Sequence, residues 1–250
     1  GIRDIGVTGV QTCALPILDK DYLFDVRQKN IKTELGYSSD FWKTFADLGW
    51  LGMPFSEADG GYNGGPIDLM VIMESLGRGL VVEPYIPNVV LAGGLVSKLG
   101  SEEQKQELLP KIISGEIQMS VAFSEPQSRF DLNDVITSAK KDGENYILDG
   151  YKAVVMNGPS SNNIIVVART SGNQLNKEGL SLFIVDLIRQ IHSLNSRFGY
   201  LFQETTSYEF NYKYIFKCRC RRRRCKYTVG SWVYPMCANA HNYLGPTLER

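Results

Sequence analysis

The 250-residue chain balances 27 Lys and Arg against 27 Asp and Glu, with 43% hydrophobic residues. That neutrality averages two unlike pieces: Leu18–Leu187 holds 15 basic and 23 acidic residues, while Ile188 onward holds 11 basic and 3 acidic. The acidic body argues against a nucleic-acid-binding role, because phosphate binding needs a basic face. No membrane association is expected either.

Gly1–Ile17 has no basic stretch followed by an unbroken apolar run, and Asp4 and Gln11 interrupt it. It is therefore neither a secretory leader nor a span, and a cytoplasmic location is expected. Val7–Ile17 back-translates onto a common sequencing-adaptor oligonucleotide, so residues 1–17 are set apart from fold reasoning. Cys13 lies in that segment and the other four cysteines lie after Ile188, so cysteine carries no information on disulfides or compartment. The remaining 170 or so residues suffice for one or two domains.

Residues 18–116 read as an all-α domain. Phe41, Trp42, Phe45, Ala46 and Leu48 recur at helical spacing after Ser39, taken as N-cap, with Gly49 as the stop. Pro66 opens a helix through IDLMVIMESLG, ending at Gly77. Tyr85–Leu99 is apolar and small-residue rich, which predicts a buried helix. Ser101–Gln104 matches a capping box for a helix carrying Leu108, Leu109, Ile112 and Ile113, closed by Gly115.

After Gly115 the period becomes extended. Ile117–Phe123, Val135–Ala139, Tyr146–Leu148, Ala153–Val155, Ile164–Ala168 and Leu180–Val185 are β-rich runs, with Lys141-Asp142-Gly143 a hairpin connection. Residues 117–187 thus read as a truncated antiparallel β-domain, and the chain as an α+β arrangement with its boundary near Gly115.

Several motifs fall in a fixed order. Leu48-Gly-Trp-Leu-Gly-Met-Pro-Phe-Ser-Glu-Ala-Asp-Gly-Gly61 gives a helix, turn and Gly-Gly loop. Leu99-Gly-Ser-Glu-Glu-Gln-Lys105 and Leu109-Pro-Lys-Ile-Ile-Ser-Gly-Glu116 precede the strands. Ser124-Glu-Pro126 and Asp149-Gly-Tyr-Lys152 follow within Ser120–Gly158. In this order they resemble the acyl-CoA dehydrogenases, whose corresponding loops read T-E-P and N-G-x-K. The resemblance leads to the expectation that the family's C-terminal helical bundle is absent from this chain. The stretch from Ser124 to Val135 is more similar to the branch of pimeloyl-CoA dehydrogenase small subunits, which act beside a larger subunit.

The resemblance implies flavin adenine dinucleotide (FAD) as cofactor and oxidation of an acyl-CoA to a trans-2-enoyl-CoA. It implies that Val121, Phe123 and Ser124 line the flavin, with Ser124 donating hydrogen bonds to charge that grows on reduction. Val154, Val155 and Met156, expected on a following strand, would face another edge. Arg129 and Phe130 would lie near the pyrophosphate and the thioester arm. The family's catalytic carboxylate belongs to its C-terminal domain, so no catalytic residue is named, and no metal site is expected.

Two departures stand out: Ser128-Arg-Phe-Asp131 replaces A-G-S-D, and Val154-Val-Met156 replaces W-I-T. They motivate a second reading, a non-catalytic partner subunit of a heteromer. A homo- or hetero-oligomer is expected in either case. Residue by residue, plainer roles stand beside these: Ser124 and Pro126 as a turn, Arg129 as a solvated cation, Glu125 as a capping or turn residue, and Leu91 and Ala92 as core.

The tail contains Lys217-Cys-Arg-Cys-Arg-Arg-Arg-Arg-Cys-Lys226. A nucleic-acid patch or a metal knuckle is the first thought, but Cys218 and Cys220 lack a second spaced pair and no period organises the arginines. Shifting the reading frame by one base converts Cys218–Val229 into an acidic stretch resembling the family's late middle-domain strand and loop. Residues 188–250 are accordingly expected to be frameshifted and not to continue the β-domain.

Overall fold

The computed structural model describes residues 17–143, 145–187, 208–221, 224–227 and 232–235, and side chains only as far as Leu187. The adaptor-like segment, apart from Ile17, and most of the basic tail lie outside the described residues. The chain divides into two compact units. One comprises residues 1–119 with Pro159–Ser161, the other Ser120–Gly158 with residues 162–250.

The first unit is helical: α1 (Phe24–Asn30), α2 (Ser39–Asp47), α3 (Pro66–Arg78), a π-helical segment Ile86–Gly93 running into α4 (Gly94–Leu99), and α5 (Glu102–Ile113). Ser38, not Ser39, caps α2: its backbone is extended and its hydroxyl accepts the Phe41 N–H. Adjacent serines are equally good caps by type, and only the φ/ψ break decides between them. The capping box at Ser101 forms as read, Ser101 Oγ accepting the Gln104 N–H while Gln104 Oε1 accepts the Ser101 N–H. Gly115 turns the chain out of α5 with φ +74°.

Phe45, Trp50, Leu51, Phe55, Ile72, Tyr85, Leu109 and Ile112 form the buried core. Phe45 stacks on Trp50 at 4.8 Å between ring centroids, and Tyr85 Oη donates to the Trp50 carbonyl at 2.9 Å. The Gly-Gly loop is a backbone knot. A Cβ on Gly61 would lie 2.4 Å from the Phe55 carbonyl oxygen, so only glycine passes there. Buried Asn88 fixes the exit from this unit, donating from Nδ2 to the Ile117 carbonyl and accepting the Met119 N–H at Oδ1.

The second unit is a sheet: β1 (Met119–Ala122), β2 (Ser138–Asp142), β3 (Asn145–Lys152), β4 (Asn163–Arg169), β5 (Leu180–Asp186), β6 (Tyr208–Arg221), β7 (Arg224–Tyr227) and β8 (Trp232–Pro235). Its order is β7-β6-β3-β2-β4-β5-β8, with β1 on β4. The hairpin expected at Lys141–Gly143 joins β2 and β3. Because β2 meets β4 in parallel, the sheet is mixed rather than purely antiparallel. Ala122, Leu148, Val155, Ile164, Val166, Phe183 and Val185 build its core.

Two strand expectations are corrected. Ala153–Val155 is irregular, because the chain leaves β3 at Lys152 and Val154 takes φ +56°, incompatible with a strand. Strand patterning does not stop near Leu187 either: β6 pairs with β3 and β8 with β5. The cue is present in the sequence, where Tyr208, Phe210, Tyr212 and Tyr214 alternate with Glu209, Asn211 and Lys213.

Candidate functional site

The Ser124-Glu-Pro126 loop leaves the end of β1, and the Ala153–Asn157 turn leaves the end of β3. The Ala153 N–H donates to the Ser124 carbonyl at 2.9 Å, which sets the two segments side by side. Beneath them lies the charged centre of the unit. Lys152 Nζ donates to Glu125 Oε1 at 2.6 Å, and both side chains are buried, at 0% and 2% exposure. The two motifs that carried the resemblance, 27 positions apart, thus meet through one ion pair.

The Glu125 carboxylate is fully engaged. Oε2 also accepts the Ile136 N–H at 2.7 Å and Gln127 Nε2 at 2.8 Å, while Oε1 accepts the Thr137 N–H at 3.1 Å. Burial pushes its pKa up, but the Lys152 ammonium, Thr137 and Gln127 outweigh that and hold it at about 2. For Lys152 burial dominates and lowers the pKa, with Glu125 opposing. A carboxylate so held cannot collect a proton near neutral pH, so Glu125 is a structural anchor, as its expected capping role requires. Gly150, inside the second motif, has a packing reason: a Cβ there would lie 2.5 Å from the Thr137 Cα.

Arg169 is a second buried cation. Its guanidinium donates to the carbonyls of Val135, Glu178, Asn133 and Gln174 at 3.2, 2.9, 2.8 and 2.8 Å, binding the loops on either side. Sequence reasoning alone assigns no site role to Lys152 or Arg169. For Lys152 the available signal is its place closing the Gly-Tyr-Lys motif, which follows the Ser-Glu-Pro loop at 27 positions' distance and so names a partner only once the strands are folded. Arg169, at a strand end before a polar loop, offers none.

The candidate flavin residues separate into two sets. Val121 and Val155 are buried at 6% and 2%, Val155 within the sheet core, so they support the face rather than present to it. Phe123, Val154 and Met156 are exposed at 37%, 47% and 44%, Phe123 next to Ser124 in the chain and Val154 next to its backbone partner Ala153. Among the described residues neither the hydroxyl nor the N–H of half-buried Ser124 has a protein partner. Unpartnered donors with exposed apolar side chains on the adjoining segments are groups that suit the edge of a planar heteroaromatic ring such as a flavin. Arg129 stands at φ +49° and Phe130 is wholly exposed on the same loop, and Arg129 forms no ion pair among the described residues.

Val154 is strained: a β-branched residue in the left-handed region costs about 1–3 kcal/mol. Its neighbours enforce it, Ala153 by its bond to Ser124, and Val155 by burial and by accepting the Gly158 N–H. The result turns Val155 inward and Val154 and Met156 outward.

Comparison with known proteins decides the family. The acyl-CoA dehydrogenase N-terminal domain matches residues 23–116 and the acyl-CoA dehydrogenase middle domain matches residues 120–211. The chain belongs to the acyl-CoA dehydrogenase family. Mitochondrial isovaleryl-CoA dehydrogenase of Pongo abelii is 35% identical over 150 residues, 59% of this chain and 36% of that protein. The solved acyl-CoA dehydrogenase of Geobacillus kaustophilus is 28% identical with TM-score 0.57, covering 72% of this chain and 45% of that one. A structure described as the Tcur3481-Tcur3483 steroid ACAD is 25% identical with TM-score 0.63, covering 75% and 49%. The chain therefore spans between a third and a half of these relatives. The middle-domain match runs past Leu187 into β6, in accord with the strand pairing there. Among the described residues no helix is long and apolar enough to cross a membrane, and no cluster of ligands could hold a metal ion.

Proposed function

We propose that this chain is part of a FAD-dependent acyl-CoA dehydrogenase, an oxidoreductase that converts an acyl-CoA to a trans-2-enoyl-CoA. The observation that carries the reading is the free Ser124 N–H and hydroxyl beside exposed Phe123, Val154 and Met156, on the loop pair that the middle-domain match covers. Bound there, FAD would supply the hydride acceptor. This chain's residues would orient it: Ser124 donates at the ring edge, Phe123, Val154 and Met156 cover apolar surface, and Val121 and Val155 hold the backbone beneath. On the outer loop, Arg129 would meet phosphate charge and Phe130 the thioester arm. No base is assigned, since the buried carboxylate nearest the face, Glu125, is committed to Lys152.

Partners fit the same reading. The Tcur3481-Tcur3483 structure names two chains, and the resemblance of the Ser124–Val135 stretch to a pimeloyl-type small subunit would imply a heteromer as well. The second reading, a non-catalytic partner subunit, is favoured only by Phe130 and Met156 standing where the family has hydroxyls.

The test is a FAD titration of the wild-type chain, Ser124→Ala and Ser124→Thr by flavin fluorescence, with the reduction potential of the bound flavin measured for each so that affinity for the reduced form follows by linkage. A hydrogen bond to a charged group is worth about 1.5–3 kcal/mol. Ser124→Ala is therefore expected to weaken retention of reduced flavin on the order of ten- to a hundredfold, with Ser124→Thr mild. Equal retention by Ser124→Ala and wild type would make Ser124 a turn residue only.

A further inference from the structure

We propose that Lys152 is the positioning residue of the candidate flavin face: through Glu125 and the Phe123 carbonyl it brackets Ser124 and fixes the direction of its free donors. The proposal rests on the flavin reading given above. Three observations carry it. The Lys152 ammonium reaches Glu125 Oε1 at 2.6 Å and the Phe123 carbonyl oxygen at 3.5 Å, so it engages the residue on each side of Ser124. The next residue, Ala153, donates its N–H to the Ser124 carbonyl, so the same short segment also engages Ser124 itself. The anchor does not drift, because the Ile136 N–H and Gln127 Nε2 hold Glu125 Oε2 while the Thr137 N–H shares Oε1 with Lys152.

The arrangement has an electrostatic consequence as well as a geometric one. The Phe123 carbonyl and the Ser124 N–H are two ends of one peptide group. A buried ammonium near the carbonyl end polarises that group and strengthens the N–H as a donor, because hydrogen-bonded dipoles in a low-dielectric interior reinforce one another. Lys152 also opens the turn in which Val154 is held at φ +56°, so it fixes the start of the strained segment that turns Val154 and Met156 outward. It touches no reacting atom and acts only through these groups.

The alternative is that the pair merely stabilises the sheet, and amide hydrogen exchange on the flavin-free chain separates the two. Lys152→Met alone would leave Glu125 buried and unpaired, so the main variant is Lys152→Met combined with Glu125→Gln, with Lys152→Arg as the conservative control. In the double variant the Ala153 amide is expected to exchange at least tenfold faster, while those of Val166 in β4 and Phe183 in β5 stay within about threefold. Lys152→Arg is expected to restore most of the protection. An unchanged Ala153 amide overturns the proposal, and so does equal acceleration of all three, which makes the pair a brace of the whole sheet. In a second arm, FAD bound to the double variant is expected to show a lower reduction potential, by about 30 mV for a tenfold loss in a two-electron couple. An unchanged potential overturns the polarisation. If no variant, wild type included, takes up FAD, the flavin reading fails, while the exchange arm still decides whether Lys152 positions Ser124.

Discussion

At the scale of single residues, two buried carboxylates among the described residues respond to pH in opposite directions. Glu125 has a folded pKa of about 2 against an ordinary 4.5, so its pairing stabilises the fold above the ordinary value and that stability is lost as pH falls toward 2. Glu83 accepts the Tyr22 hydroxyl at 2.6 Å and the Ser38 N–H, but burial dominates and raises its pKa. A raised value contributes stability below the ordinary pKa and loses it as pH rises, so acid does not destabilise the helical unit through Glu83. Acidification from pH 5 to 2 is thus expected to open the sheet unit first. Exchange of Val166 and Phe183 amides against those of Phe45 and Leu109 checks it, and earlier loss in the helical unit would contradict it. Breaking the pair at neutral pH by Glu125→Ala is expected to cost about 3–5 kcal/mol in the sheet unit, read by urea denaturation.

Elements were legible where local chemistry alone decides. The Ser101 capping box, Pro66 at a first turn and the Lys141–Gly143 hairpin stand as read, because each depends on a few adjacent residues. The misses need information from elsewhere in the fold. Val154 is β-branched and reads as strand, yet the bond from Ala153 to Ser124 bends the chain there. The π-helical turn at Ile86–Gly93 has no periodic signature, though Asn88 within it reaches Ile117 and Met119. The candidate site is legible in sequence as loops, not as an ion pair: the Ser124-Glu-Pro126 motif marks the loop, while the Lys152–Glu125 contact that brackets Ser124 joins positions 27 apart and leaves no local pattern. Gly61→Ala tests the Gly-Gly knot. Backbone within 2.6 Å on two sides cannot yield cheaply, so a loss of about 1–3 kcal/mol in the helical unit is expected from thermal unfolding. A neutral substitution would show that the loop relaxes.

For the molecule as a whole, the helical and sheet units correspond to the two family domains matched, and the relatives extend well beyond them. The family resemblance puts the catalytic carboxylate in a C-terminal helical domain that neither match includes. The two matched domains by themselves, residues 23–211, are therefore expected to show no acyl-CoA oxidation with an artificial electron acceptor, and turnover above a heat-inactivated control would overturn that expectation. The central claim is that the loop pair around Ser124 and Val154 is a flavin face. Amide hydrogen exchange of the chain with and without FAD tests it most directly. The account predicts slower exchange at Phe123–Ser124 and Ala153–Met156, with the β2–β3 hairpin tip at Lys141–Gly143 unchanged. Protection confined to other segments, or none at saturating FAD, would contradict it.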